Sequence, residues 1–215
     1  MKRLMRVTLL SVLAVLAVAA PGISAIPRND TWYTQHYIIM QDFERTAYRN
    51  LSPAGRLAFQ ELFWQSRSPE AKATFAARLE YVKKNLWKEN SRQPWNTDRG
   101  RTYLLNGSPV SIDYDQNNDW GSLAIPGQMP GTGATNRNAE DVSANRAEIW
   151  TYPFQENFIK YVFVFVQPSQ WRMIQAQVAG NRYRGDLETH SRAVVLGVQD
   201  LEQYKDRIAA LEKKK

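Results

Sequence analysis

The chain contains no cysteine, so disulfides, thiol nucleophiles, thiolate metal sites and a lipid-anchored cysteine are all excluded. Histidine is almost as scarce: the two residues, His36 and His190, stand far apart with no spacing that suits zinc or a Ser-His-Asp triad. Glycine-rich phosphate loops are missing too, since Gly131-Thr132-Gly133 follows no strand and opens no helix. No cofactor is therefore expected. The longest apolar run, Val7 to Ala20, is too short to span a membrane as a helix. It follows Lys2, Arg3 and Arg6 and ends near Ile23-Ser24-Ala25, which reads as a secretory signal peptide over residues 1–25. Cleavage there takes the formal charge from +7 to +4. The remaining Lys and Arg are spread along the chain, apart from the Lys213-Lys214-Lys215 tail, so nucleic acid is not an expected partner. The expected location is periplasmic or secreted, with no integral membrane span after cleavage.

At 215 residues the chain suits one domain of ordinary size with appendages. Residues 26–180 form the expected domain, with a helical part at 30–90 and a sheet part at 100–178. Between Trp32 and Trp87 the sequence is dense in Ala, Leu, Glu, Gln and aromatics, and three helices are expected, the first from Trp32 to Tyr48. Ser52-Pro53 and Ser68-Pro69 each place an N-cap residue before a proline at the first helical position, which marks the other two starts. From Gly100 the period changes. Thr102, Leu104 and Asn106 alternate with Tyr103 and Leu105, and "VSIDYD", "AEIWTY", "KYVFVFVQ" and "WRMIQAQV" follow, rich in β-formers. Asn106-Gly107-Ser108-Pro109 reads as a turn between the first two strands, and "WRMIQAQV" pairs with "YVFVFVQ" across Pro168-Ser169. The fold class is α+β, with helices packed on an antiparallel sheet of four or five strands. Residues 181–215 form a C-terminal segment, in which Leu201, Tyr204, Ile208 and Leu211 line one face of a basic amphipathic helix expected to dock on the sheet.

The segment "PWNTDRGRTYLLNGSP", residues 94 to 109, is the densest in unusual residues. Asn96, Thr97 and Asp98 favour a capped turn, Gly100 permits a close approach, and Trp95 is expected to pin a helix-to-strand corner. Asp98 is expected to close the turn and to pair with Arg99 or Arg101. This stretch resembles the signature of the GWxTD domain family, carried by Trp95, Thr97, Asp98, Arg99, Gly100 and Arg101. "LFWQSRSPE", "ARLEYVKKNLW" and "EIWTY", the last containing Glu148 and Trp150, resemble the family's flanking elements. The resemblance covers about residues 55 to 175 and departs from the pattern at Pro94 and at the 106–109 turn. It implies a bacterial exported domain and no established activity.

Chemistry is sparsely signalled. Asp98, Asp113 and Glu148 are the carboxylates that strands could bring together for glycan hydrolysis, although ion pairing with nearby arginines is the commoner use of such residues. Asp113, Asp115, Asn117 and Asp119 alternate as calcium ligands do, but Asn118 and Ala124 stand where a calcium loop needs Gly and Glu. A solvated turn is the better expectation. The long polar segment 115–146 holds Trp120, which with Asp119 and Arg137 forms the expected binding surface. Together these features point to a non-enzymatic envelope protein that binds a protein partner through this segment and an exposed strand edge. A polysaccharide-binding module or weak hydrolase is the alternative.

Overall fold

A computed structural model describes residues 30–115, 147–166, 169–183 and 197–213. The expected signal peptide and the greater part of the 115–146 segment, including Asn117, Asp119, Trp120 and Arg137, lie outside the described residues, as does His190. Six helices and one five-stranded antiparallel sheet are present among them, in the α+β arrangement. No helix among the described residues is long and apolar enough to cross a membrane.

The expected first helix is broken in two. Helix α1 (Thr31–His36) passes through a 3-10 turn at Tyr37–Ile39 before α2 (Asp42–Asn50) begins. Asp30 caps α1 by accepting from the Tyr33 amide, and Glu44 in the first turn of α2 accepts from the Gln41 amide, so two separate N-termini are satisfied locally. The break folds Ile38, Ile39 and Met40 into the core. Helices α3 (Pro53–Gln65) and α4 (Pro69–Asn85) start where the Ser-Pro pairs place them, with Ser52 accepting from the Gly55 amide.

The reading of residues 102–106 as a strand is corrected: Asp98–Asn106 is helix α5. Thr97 caps its start by accepting from the Gly100 amide. Arg78 of α4 closes its end with hydrogen bonds of 2.9 and 2.5 Å to the carbonyls of Leu104 and Leu105. Gly107 follows with φ of 80° and ψ of −149°, a backbone conformation that glycine alone adopts readily, and the chain leaves the helix there. The turn at 106–109 therefore joins a helix to a strand rather than two strands.

The strands β1 (Ser111–Asp115), β2 (Ala147–Phe154), β3 (Asn157–Val166), β4 (Gln170–Val178) and β5 (Asn181–Arg182) run in sequence order across the sheet. The expected pairing of β3 with β4 is present, with a bulge at Val162 and Phe163. Alternate residues Trp150, Tyr152 and Phe154 of β2 face the helices with their cross-strand partners Tyr161 and Ile159 of β3. They enclose one core with Phe59, Phe63, Phe75, Leu79 and Leu104.

The C-terminal helix α6 (Leu201–Ala209) packs on the helical layer, which corrects its expected docking on the sheet. Its Tyr204 hydroxyl donates to Glu44 Oε1 at 2.7 Å. That oxygen also accepts from Arg67 Nη2 at 2.8 Å, and Arg67 Nη1 donates to the Phe63 carbonyl at 2.6 Å. Glu44 and Arg67 are both buried, so this pair is stable only because each remaining polar atom finds a partner. Nearby, the Ser52 amide donates to the Glu212 carbonyl and Leu51 bridges to Lys213, which ties the chain's last described residues to the α2–α3 junction.

Candidate functional site

The 94–109 segment begins with a 3-10 turn at Pro94–Asn96 that seats Trp95 in the core. Its direct continuation into α5 makes the corner a turn-to-helix junction, not a turn into a strand. Thr97 holds it from both sides, donating from Oγ1 to the Pro94 carbonyl at 3.0 Å while accepting from Gly100 at 3.1 Å. Gly100 lies so close beneath Pro94 that an added Cβ would collide with the Pro94 carbonyl oxygen. The family-like residues Thr97 and Gly100 are thus explained by local backbone geometry.

From the second position of α5, Arg99 extends into a nest of acidic and aromatic side chains. Its Nε donates to Glu89 Oε1 at 2.7 Å and its Nη1 to Glu148 Oε2 at 2.6 Å. Glu89 comes from the loop after α4 and Glu148 from β2, so one guanidinium joins both layers of the fold. Trp150 donates from Nε1 to the same Glu148 oxygen at 3.1 Å. The guanidinium lies 4.6 Å from the Trp171 ring centre and 5.9 Å from that of Trp150, in cation–π contact with each. Burial raises the pKa of Glu89, reinforced by the Glu148 charge and opposed by Arg99 and by the backbone N–H of Trp171.

The sequence candidates divide at this point. Glu148 has the expected role of ion-pair partner, whereas Asp98 does not pair with Arg99 or Arg101 in the described contacts. Asp98 Oδ2 instead accepts from the Met173 amide of β4 at 2.9 Å, and Arg101 reaches Asn96 Oδ1 at 2.8 Å. Asp113 is exposed on β1 opposite Ile149, so it lies on the other face of the sheet from Glu148. The three carboxylates therefore do not converge as a hydrolytic set. Asp113 and Asp115 belong to an extended strand, not to the solvated turn expected for them. Among the described residues no group of three or more His, Asp or Glu side chains is placed to hold a metal ion.

Beside this nest lies a cleft of about 130 Å³, between the loop after α4, the start of α5 and the start of β4. Glu89 and Asn90, Asn96 to Asp98, and Gln170 to Arg172 line it. Sequence reasoning missed Glu89 and Trp171. Glu89 sits in a polar loop with no periodicity, and Trp171 reads as an ordinary strand aromatic; only the fold brings them to Arg99.

A second feature is the outer edge of the sheet. By register, Ile112 lies across from Trp150 and Tyr114 from Glu148, so Val110, Ile112 and Tyr114 share the helix-facing side. The helices stop short of them, leaving these three 60, 40 and 64% exposed. Tyr81 of α4, itself 40% exposed, stacks on Tyr103 at 4.0 Å. Comparison of the chain with protein-family models, curated proteins and solved structures finds no match.

Proposed function

We propose that this chain is an exported GWxTD-type domain that works in the bacterial envelope by binding a protein partner along the outer edge of β1. One observation carries the reading. Among the described residues β1 bonds to β2 alone, and its helix-facing side presents Val110, Ile112 and Tyr114 to solvent. An edge strand offers unpaired backbone donors and acceptors to an incoming strand, and an exposed apolar row supplies the side-chain contacts. The leader-like first 25 residues and the resemblance of residues 94–109 support the address. The Arg99 nest supports a binding role over catalysis, because one guanidinium engages both of its carboxylates and the Trp150 indole engages Glu148 as well.

A photoreactive benzoylphenylalanine at position 112 or 114, irradiated in the native envelope, tests this directly. The expected result is one dominant adduct of defined mass, lost when Val110→Lys is added to the same chain. Exported, folded protein that gives no adduct from either position, or an adduct indifferent to Val110→Lys, would overturn it.

A further inference from the structure

We infer that the cleft between the start of α5 and the start of β4 binds a single neutral sugar residue of a glycan. The chemistry of its lining selects this ligand class. Asp98 and Glu89 offer acceptors only, the side-chain amides of Asn96 and Gln170 offer both donors and acceptors, and Trp171 adds an aromatic surface. A polyol satisfies such a mixture, since each hydroxyl donates to a carboxylate and accepts from an amide. Arg172 is the cation in the lining and is set against two carboxylates, Glu89 and Asp98 at the start of α5, so anions are disfavoured.

Glu89 supplies an independent observation. Its side chain is only 3% exposed, and Oε2 has no hydrogen-bond partner in the structure. A buried carboxylate oxygen left unpaired costs free energy, and a hydroxyl entering the cleft is the group that would satisfy it. Asp98 is only partly buried; its Oδ2 is engaged by the Met173 amide, and its carboxylate is a second acceptor in the lining. The cleft is small, about 130 Å³, so it takes no more than a single ring-sized group and no longer buried chain. A glycan would therefore lay one residue in the cleft and run its neighbours over the surface. This site is separate from the β1 edge and stands whether or not a protein docks there.

Titration of the folded, isotope-labelled protein with chitotriose, cellotriose and a trimer of galacturonic acid tests the inference by nuclear magnetic resonance. Amide and indole shifts at residues 89–98 and 170–172 are expected with at least one neutral trimer and not with the acidic one. Whichever neutral trimer binds separates an amino-sugar polymer from a glucan as the source. The exposed Asn96→Ala and Gln170→Ala substitutions together should weaken the binding at least tenfold with the melting temperature unchanged. Should the pair disturb the fold, Gln170→Ala alone carries the same expectation, because its side chain makes no hydrogen bond to another described residue. The inference is overturned if neither neutral trimer moves these resonances, if the shifts lie elsewhere, or if the acidic trimer binds equally well.

Discussion

Trp95 and His36 show how single side chains are committed to the interior. The Trp95 indole is 9% exposed and its Nε1 has no partner, so it stabilises by packing alone. Trp95→Ala should cost about 3–5 kcal/mol, read as a lowered urea midpoint with an unchanged slope. His36 is stacked on Trp32 at 4.1 Å with Phe63, Trp64 and Phe75 around it, and its Nδ1–H donates to the Trp32 carbonyl at 2.7 Å. Burial lowers its pKa from 6.5 to about 4, helped by the Arg67 charge and opposed by that hydrogen bond. The folded state thus holds the neutral ring while the unfolded chain takes up a proton. Stability from this group is complete above pH 6.5 and falls as pH drops toward 4. Unfolding measured at pH 7 and at pH 4.5 should show a loss of about 2–3 kcal/mol that shrinks in His36→Phe. An equal loss in both proteins would assign the acid sensitivity to the carboxylates instead.

At the scale of elements, Glu44, Arg67 and Tyr204 bind α2, the end of α3 and α6 into one unit. Tyr204→Phe keeps the ring and removes only the hydroxyl, so about 1.5–3 kcal/mol should be lost, as expected for a hydrogen bond to a charged group. Arg67→Met is the more damaging change at about 3–5 kcal/mol, because it strands the Glu44 carboxylate in the interior. Protease resistance of the α6 segment reports on both. This triad was not legible in the sequence: Glu44 and Tyr204 are 160 residues apart, and each reads as an ordinary member of an amphipathic helix. The Ser-Pro starts of α3 and α4 and the β2, β3 and β4 runs were legible because caps and β-branched periods are local signals. Helix α5 was misread for a physical reason. Its strict alternation mimics a strand, while the forces that make it helical come from the Thr97 cap and from Arg78, 26 residues upstream of Leu104. The same limit hid the candidate cleft, whose walls come from three separated segments, whereas Trp95 and Gly100 could be placed from their neighbours alone.

For the whole molecule, the arrangement makes α6 a structural requirement. A chain ending at Asp200 exposes the pocket that held Ile208, worth about 1.5–3 kcal/mol. It also leaves Glu44 without the Tyr204 hydroxyl, a further loss of about 1.5–3 kcal/mol. Together those losses, about 3–6 kcal/mol, are a large part of the stability of an ordinary domain, so the truncated chain should melt at a markedly lower temperature by circular dichroism. An unchanged melting temperature would mean that the helices and sheet close without α6.

The hydrogen bond between Glu44 and Tyr204 has a temporal side as well. Residues 31–67 are synthesised long before residues 201–213, and until the latter appear the Glu44–Arg67 pair has no cover. A vectorially emerging chain is therefore held short of its native state until nearly its full length is made, because the distant contact must wait for its second half. If the chain is exported unfolded, as proposed above, that delay would keep its leading segments from locking before they have crossed.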